Sequence, residues 1–293
     1  MSSKGPVTPK GFGDVKPEEA GKRRAMIGKI ADVLESYGFV PLETPTVEFA
    51  ETLLGKYGEE EKLIYQFEDR GGRKLALRYD LTVPLARFVA NNLGILNPTF
   101  SRYQIGQCFR GENPQKGRTR ELTQFDFDTV GSTDTKEDTK IIIAAIKGAR
   151  AIGLENAAMQ INDRTIFDNL GFSKEQIITI DKIDKIGKEE VEKIVGSFEK
   201  LEKAVKTERL SKIFNELKSE GLEEGKDFVF NPYLARGLNY YTSTIFELKL
   251  DNTPKGLSIG GGGRYDNLIG VFAGREIPAV GFSFGLSRIT DLT

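Results

Sequence analysis

The most chemically suggestive stretch of the sequence lies between residues 110 and 120, where basic side chains outnumber acidic ones. The basic residues are Arg110, Lys116, Arg118 and Arg120, and the one acid is Glu112. Arginine offers a planar fork of donors that fits phosphate or carboxylate at two points, and it keeps its charge. The pattern therefore favours a site for an anionic ligand. The alternative is a solvated loop whose arginines pair with surface acids.

The residues on either side of this stretch alternate in the manner of β-strands. Residues 100–109 show the alternation before it, and after it Phe125 and Phe127 alternate with Gln124 and Asp128. A period of two indicates strands, and the Gly- and Pro-containing run between them is typical of an exposed loop. The sequence thus predicts a long hairpin, which would hold positive charge in place where a phosphoryl group reacts.

Composition excludes several classes of chemistry. The 293 residues include no histidine and one cysteine, so histidine-based triads, the usual zinc sites and internal disulfides are ruled out. A net charge of -1 gives no general attraction to nucleic acid, so an RNA contact must be a local patch. Neither a bilayer-spanning apolar run of about 20 residues nor a signal-peptide core is present. We expect a cytoplasmic protein without a membrane partner.

The elements before the hairpin follow from similar patterns. A helix is predicted to start at Pro17 and to close at Gly38, because apolar residues recur between them at helical spacing. Residues 41–49 are interpreted as one bent strand, with Pro45 tolerated only at an edge or boundary. A second hairpin is predicted within residues 64–77.

A strand-to-helix junction is predicted at residues 78–82, and such junctions often carry ligand contacts. Thr82 is the expected N-cap of a helix that ends near Gly94. Asp80 would then lie at the junction as a ligand contact, or would serve only as a second capping acid.

Residues 165–225 differ in composition from the rest of the chain. They are dense in Lys and Glu and carry apolar residues at helical spacing, so we expect a helical insertion. Its charged residues are interpreted as a solvated face. Further on, the glycine run of residues 260–263 would allow a ligand to approach the backbone closely, and would allow conformations closed to other residues.

Four segments, in order, resemble the signature motifs of histidyl-tRNA synthetases, which are class II aminoacyl-tRNA synthetases. The segments are FRGENPQKGRTRELTQFDFD (109–128, motif 2), ARGLNYYTSTIFE (235–247, first histidine motif), SIGGGGRYDNLIG (258–270, second histidine motif) and IPAVGFSFGLSRI (277–289, motif 3). RYDLT (78–82) is similar to the archaeal and eukaryotic members. The family's usual RGLDYYTG differs here at Asn239 and Ser243. The resemblance runs from about residue 11 to residue 291.

This resemblance implies an α+β fold, the class II catalytic fold, in which helices flank an antiparallel sheet. Residues 1–164 and 226–293 would form the catalytic domain and 165–225 the helical insertion domain, which in the family can clasp the acceptor arm of tRNA. The first helix and the following Pro-containing strand resemble motif 1, the dimer interface, so a homodimer is expected. The anticodon-binding domain that follows motif 3 in the family is expected to be absent.

The resemblance also assigns roles to side chains. ATP would be bound by Arg110, Glu112, Arg118 and Arg288. The amino group of histidine would be held by Asp80, Thr82 and Gln124. The imidazole pocket would be formed by Asp128, Tyr240, Tyr241 and Tyr265. Arg236 would lie between the α-phosphate and the histidine carboxylate, where other class II enzymes place a metal ion, and would be catalytic together with Arg110.

The implied reaction is activation of L-histidine by ATP, with release of pyrophosphate, followed by transfer of the histidyl group to the 3′ end of tRNA(His). Magnesium would be carried on the ATP phosphates, without a structural metal in the protein. Two interpretations of the chain remain: the catalytic portion of a longer enzyme, or a non-catalytic paralogue such as the regulatory subunit of ATP phosphoribosyltransferase. The paralogue generally loses the catalytic arginine, so Arg236 favours the enzyme.

Overall fold

The predicted central hairpin forms part of a large sheet. The computed structural model describes residues 7–114, 119–236, 240–250 and 257–290. In chain order the strands are β1 (Val40–Pro41), β2 (Val47–Phe49), β3 (Gln66–Glu68), β4 (Lys74–Leu77), β5 (Phe100–Phe109), β6 (Glu121–Val130), β7 (Ala157–Asp163), β8 (Phe228–Phe230), β9 (Thr244–Leu250), β10 (Ser258–Arg264) and β11 (Ala279–Gly285).

Helices are distributed along the whole chain. They are α1 (Pro17–Ser36), α2 (Ala50–Leu53), α3 (Thr82–Asn92), α4 (Thr135–Ala151), α5 (Arg164–Asn169), α6 (Lys174–Ile180), α7 (Ile183–Ile186), α8 (Lys188–Val195), α9 (Glu199–Glu202), α10 (Glu208–Ser219), α11 (Gly270–Ala273) and α12 (Leu286–Thr290), with a 3-10 helix at Gly58–Leu63. None of the helices within the described residues is long and apolar enough to cross a membrane.

The main sheet has the strand order β1-β5-β6-β11-β10-β9-β7-β8. Every neighbouring pair from β5 to β7 is antiparallel, and the edge strands β1 and β8 are added in parallel. A second sheet, β2-β4-β3, is antiparallel. The predicted α+β class is therefore confirmed, and both predicted hairpins are present.

The alternation in β6 separates a core face from a polar face. Phe125 and Phe127 are fully buried in the main core, together with Phe282 and Phe284 of the neighbouring β11. The helix α4 packs across this face, and α1 and α10 pack on α4. Fully burying each such side chain contributes roughly 1.5–3 kcal/mol. The polar residues of β6 therefore face the opposite side of the sheet.

Residues 41–49 do not form the single bent strand that was predicted. The segment contains two short strands in different sheets, because β1 pairs with β5 and β2 pairs with β4. The break lies at Thr44 and Pro45. Proline has no backbone N–H to donate to a ladder, and the Thr44 hydroxyl instead contacts Gln104 Oε1 of β5 at 3.2 Å.

The helical region has two different packing partners. Apolar residues of α5, α6, α8 and α9, together with Phe198 and Ala235, form a cluster of their own. In contrast, α10 buries Leu210 and Phe214 in the main core. The part of the insertion with a separate core therefore ends before α10. The domain boundaries at residues 165 and 225 stay a prediction.

A buried ionic cluster ties α10 and β10 to α4. Asp138 of α4 is fully buried and accepts from two arginines, with Oδ2 at 2.6 Å from Arg209 Nη2 and 2.5 Å from Arg264 Nη2. Arg264 also donates to the carbonyl of Ser132 at 2.8 Å. Arg264 is 1 % exposed, so its charge depends on these acceptors for compensation.

We expect Asp138→Asn to lower the free energy of unfolding by about 3–5 kcal/mol, because the change removes the shared anion of two guanidinium groups and leaves the buried Arg264 with Asp266 as its remaining carboxylate partner. Urea denaturation followed by circular dichroism would measure this. Glu190→Gln is the control: it removes one carboxylate from the exposed Lys193–Glu190 pair and should barely change stability. Equal effects of the two substitutions would contradict the prediction.

Candidate active site

A cavity of about 650 Å³ opens on the polar face of the main sheet. Every predicted site residue that the structure describes lines it: Asp80, Thr82, Arg110, Glu112, Gln124, Asp128, Arg236, Tyr240, Tyr241, Tyr265 and Arg288. The remaining predicted residue, Arg118, lies outside the described residues. The structure thus brings together side chains from segments that are far apart in sequence, and their roles stay predictions at this point.

The strand register arranges the floor of this cavity in rows. One row runs across five strands through Gln104, Asp126, Ser283, Gly261 and Glu247. Directly opposite residues in paired strands point to the same face of the sheet. Side chains in one row are therefore neighbours, at the spacing of about 4.8 Å per strand.

The next row along the strands contains Arg102, Asp128, Gly281 and Gly263. Asp128 Oδ2 lies 2.7 Å from Arg102 Nη2, and its Oδ1 accepts from the Tyr265 hydroxyl at 2.5 Å. Burial raises the pKa of Asp128, and Arg102 and Tyr265 oppose the rise. Both partners hold the carboxylate in one orientation at the cavity wall.

Arg110 is fixed in place by Tyr79, which sequence reasoning missed. The guanidinium carbon lies 4.5 Å from the centre of the Tyr79 ring, and Nε donates to the Tyr79 carbonyl at 3.2 Å. The Tyr79 hydroxyl in turn donates to Glu60 Oε2 at 2.5 Å. A cation over an aromatic face gains about 0.5–2 kcal/mol. Arg110 is therefore oriented before any ligand binds.

Arg236 lies flat against the glycine strand β10. A β-carbon added at Gly261 would be only 2.1 Å from Arg236 Nη1. The same nitrogen is 3.6 Å from Glu247 Oε1. Glu247 also lies 3.4 Å from Lys249, which pairs with Asp184 of α7. A line of alternating charges therefore connects Arg236 to the helical insertion.

The glycine run of residues 260–263 is a strand, and none of its four glycines has a positive φ. The expectation of conformations closed to other residues is therefore wrong, because a regular ladder with β9 and β11 holds the run extended. The expectation that a ligand approaches this backbone closely stays a prediction, but the protein's own side chains do approach it closely. Besides Arg236 at Gly261, the Tyr241 ring would be 2.8 Å from a β-carbon at Gly263.

Asp80 binds backbone N–H groups at the start of α3 and also lines the cavity. Its Oδ1 accepts from the Tyr57 hydroxyl at 3.0 Å and from the backbone N–H groups of Thr82 and Val83 at 3.1 and 3.0 Å. Thr82 is thus the first residue of α3, and Leu81 is its N-cap. The expectation that Thr82 caps the helix is wrong, because the Asp80 carboxylate already satisfies the free N–H groups.

Three tyrosines form the wall near Asp128. Tyr240 lies between the other two, with ring centres 4.9 Å from Tyr241 and 5.9 Å from Tyr265. Burial raises the pKa of all three hydroxyls. They therefore stay protonated and can donate hydrogen bonds at neutral pH. At the mouth of the cavity, Arg288 Nη1 donates to the Ser258 carbonyl at 2.7 Å.

Several acceptors on the cavity wall have no hydrogen-bond partner within the protein. They are the buried atoms Asp80 Oδ2, Gln124 Oε1, Asp126 Oδ1 and Asp128 Oδ2, and the last of these has the ion pair with Arg102 described above. Buried polar atoms are nearly always satisfied in folded proteins. Unmet acceptors beside a cavity therefore indicate a ligand that brings donors.

Comparison with known proteins supports the family resemblance that the four sequence motifs indicated. The histidyl-tRNA synthetase family model matches residues 11–183 and 182–289. The chain belongs to the histidyl-tRNA synthetase family. The histidine–tRNA ligase of Aeropyrum pernix is 43% identical over 330 aligned positions, which cover 99% of this chain and 75% of the relative. The family and enzyme class predicted from the motifs are confirmed.

Solved structures give the same fold. Histidyl-tRNA synthetase from Nostoc sp. PCC 7120 matches with a TM-score of 0.84 and 30% identity, over 98% of this chain and 74% of that one. An ATP phosphoribosyltransferase regulatory subunit/histidyl-tRNA synthetase from Bacillus halodurans C matches with a TM-score of 0.83 at 22% identity, over 99% and 84%. The second likeness shows the fold alone. The class II catalytic fold is confirmed, and the regulatory alternative gains no better support than the enzyme.

Sequence reasoning missed four residues that shape the site of this family member: Tyr79, Arg102, Asp126 and Glu247. Asp126 shares the alternation of Gln124 and Asp128 and could have been found from it. Arg102 becomes significant only through its register with Asp128, which no local pattern specifies. Within the described residues, no group of three or more acidic or cysteine side chains is placed to hold a metal ion.

We expect Gly261→Ala to slow adenylate formation about a hundredfold, because the new methyl group displaces the Arg236 guanidinium and about 1 Å of misplacement has effects of that size. Exchange of labelled pyrophosphate into ATP would measure the rate. Gly28→Ala is the control, since a β-carbon there in α1 meets nothing within 4 Å. Normal exchange in Gly261→Ala would show that Arg236 need not lie on this strand.

Proposed function

We propose that this chain activates L-histidine with ATP, forming histidyl-adenylate and pyrophosphate, and then transfers the histidyl group to the 3′ end of tRNA(His). The observation that carries the proposal is the convergence of Arg110, Arg236, Asp128 and Tyr241 on one cavity. Two guanidinium groups supply charge for a phosphate and a carboxylate, and an acid with a phenol supplies both kinds of contact that an imidazole ring needs.

Activation needs no nucleophile from the protein. The histidine carboxylate oxygen attacks the α-phosphorus, the bond to the bridging oxygen breaks, and pyrophosphate leaves with the electron pair. Catalysis is then positioning and electrostatic stabilisation. Arg110, held on Tyr79, faces the α-phosphate, and Arg236 stabilises the charge between phosphate and carboxylate. Magnesium enters as part of the MgATP substrate.

Recognition of the imidazole ring falls to Asp128 and Tyr241, with Tyr240 and Tyr265 closing the pocket. Asp128 keeps its orientation through Arg102 and Tyr265, so the carboxylate need not reorganise when the ring enters. A site built from buried polar partners can reject analogues that lack the matching groups by about 10⁴ or more. The site would therefore prefer histidine to amino acids of similar size that lack these groups.

The remaining contacts follow from the unmet acceptors and from the cavity mouth. Asp80 Oδ2 and Gln124 Oε1 would accept from the amino group of histidine, beside Thr82. Glu112 and Arg288 line the same cavity as Arg110 and would contact the nucleotide, as would Arg118. The helical insertion borders the same cavity through α7 and would meet the acceptor end of tRNA. A cytoplasmic location is expected for this reaction.

The direct test is pyrophosphate exchange with each amino acid in turn. We expect exchange with histidine alone, and we expect Arg236→Ala to lower it about 10²–10³-fold, the usual effect of removing one stabilising donor. Arg70→Ala, in the exposed turn before β4, is the control for loss of an arginine. Absence of any histidine-dependent exchange would favour the regulatory alternative, and near-normal exchange in Arg236→Ala would refute its catalytic role.

We also propose that two copies of the chain associate through the sheet β2-β4-β3. Phe49 and Phe67 both lie opposite Leu75 and therefore share one face of that sheet. They are 51% and 43% exposed, and Val47, two residues before Phe49 on the same strand and face, is exposed as well. Exposed apolar rows of this kind mark interaction surfaces, and the β2 part of this one belongs to the segment that resembles motif 1. The family resemblance implies that a second copy of the chain covers this surface.

We expect the wild-type chain to sediment as a dimer and Phe49→Glu to sediment as a monomer, because the new carboxylates would be buried without partners. Analytical ultracentrifugation over a range of concentrations would measure this. Val271→Glu, a similar change at an exposed residue of α11, should leave the dimer intact. A dimeric Phe49→Glu chain or a monomeric wild-type chain would rule out this interface.

A further inference from the structure

An acid on the cavity floor has no role in the reaction described so far. Asp126 lies on β6 between Gln124 and Asp128 and points to the same face of the sheet. It lines the cavity but is only 3% exposed. Its Oδ1 has no hydrogen-bond partner. A buried carboxylate oxygen without a donor is costly, unless a ligand supplies the donor.

The position of Asp126 in the row across the sheet suggests which ligand group it meets. The same row contains Gly261, the residue on which Arg236 lies, separated from Asp126 only by Ser283. Two strand spacings come to about 10 Å between backbones, so the two side chains can reach toward the same small ligand. If Arg236 binds the carboxylate of an amino acid, the ammonium group of that amino acid lies toward Asp126 in the same row.

Neighbouring acceptors make this assignment stronger. Asp80 Oδ1 is occupied by three protein donors, which leaves Oδ2. Gln124 Oε1 belongs to a neutral amide, so it can accept a hydrogen bond but cannot balance the charge of an ammonium group. Asp128 is bound to Arg102 and Tyr265. An ammonium group has three N–H donors and one full charge. The unmet atoms Asp80 Oδ2, Gln124 Oε1 and Asp126 Oδ1 supply three acceptors.

We propose that Asp126 is a specificity-determining residue whose carboxylate pairs with the α-ammonium group of the amino acid substrate. The inference rests on the proposed function, since it takes Arg236 as the carboxylate site. Asp126 would admit a free amino acid and exclude ligands whose nitrogen is blocked or missing. Asp128, in the next row, would remain with the side-chain ring.

The charged surroundings give this pairing a pH dependence. Asp126 interacts electrostatically with Arg102 and Cys108 of β5, with Asp128 of its own strand, with Asp80 before α3 and with Tyr241 before β9, and it forms a hydrogen bond with the Ser283 hydroxyl of β11. Burial raises the pKa of Asp126 to about 7, with Asp128 and Asp80 adding to the rise and Arg102 and Ser283 opposing it. Below that pKa a proton competes with the ammonium group for the carboxylate. Affinity for histidine should therefore fall as the pH decreases from 8 to 6.

The test compares Asp126→Asn with the wild-type chain in histidine-dependent pyrophosphate exchange. Loss of a charged hydrogen-bond partner should raise KM for histidine about ten- to a hundredfold at pH 8, and KM for ATP should stay the same. Between pH 8 and pH 6, KM of the wild type should rise about tenfold more than that of Asp126→Asn. The imidazole of free histidine titrates equally in both assays, so the ratio of the two KM values isolates Asp126.

Two inhibitors separate a ligand contact from a structural role. Histidinol keeps the ammonium group and should bind Asp126→Asn at least tenfold more weakly than the wild type. Imidazolepropionate lacks the ammonium group and should bind Asp126→Asn at least as tightly as the wild type, because no unpaired carboxylate is left beside it. An equal loss of affinity for both inhibitors in Asp126→Asn, or an unchanged KM for histidine, would overturn the role of Asp126. Absence of exchange in the wild type would instead overturn the proposed function.

Discussion

The site depends on backbone that side chains can approach without meeting a β-carbon. Arg236 lies on Gly261, Tyr241 on Gly263 and Asp128 against Gly281, each closer than any other residue would permit. Glycine in a strand is unfavourable by roughly 0.5–1 kcal/mol relative to alanine. Here the ladders to β9, β11 and β6 on both sides of these strands hold the backbone in place. The result is a rigid floor that brings charged groups close to the backbone and to one another.

This closeness creates an electrostatic division of the cavity. The arginines that would face phosphate, Arg110 and Arg236, approach from loops beside the sheet. The acids Asp126 and Asp128 belong to the sheet itself, and the buried Arg102 compensates only part of their charge. A ligand with a cationic end and an anionic end therefore fits the cavity in one direction. Orientation follows from the fold, before any contact specific to the side chain of the substrate is made.

Prediction from the sequence succeeded where a local pattern determines the outcome. The alternation of β6 separated Phe125 and Phe127 from Gln124 and Asp128 correctly, because a strand exposes alternate residues to opposite faces. It failed where the outcome depends on register or on competition between groups. Arg102 is placed beside Asp128 by the pairing of β5 with β6. The free N–H groups at the start of α3 are bound by the Asp80 carboxylate and not by the Thr82 side chain. The division of the helical region is tertiary as well, since both parts have the same amphipathic pattern.

The buried arginines differ in a way that fits their roles. Arg102 is fully buried and lies 2.7 Å from Asp128, so it is held as part of the sheet. Arg236 is partly exposed and lies 3.6 Å from Glu247, which is too long for a hydrogen bond. Glu247 thus attracts Arg236 without clamping it, and Lys249 draws the same carboxylate toward Asp184. An arriving anion therefore meets a guanidinium that donates a hydrogen bond to the Tyr241 hydroxyl and that has no short ionic contact with Glu247 to break.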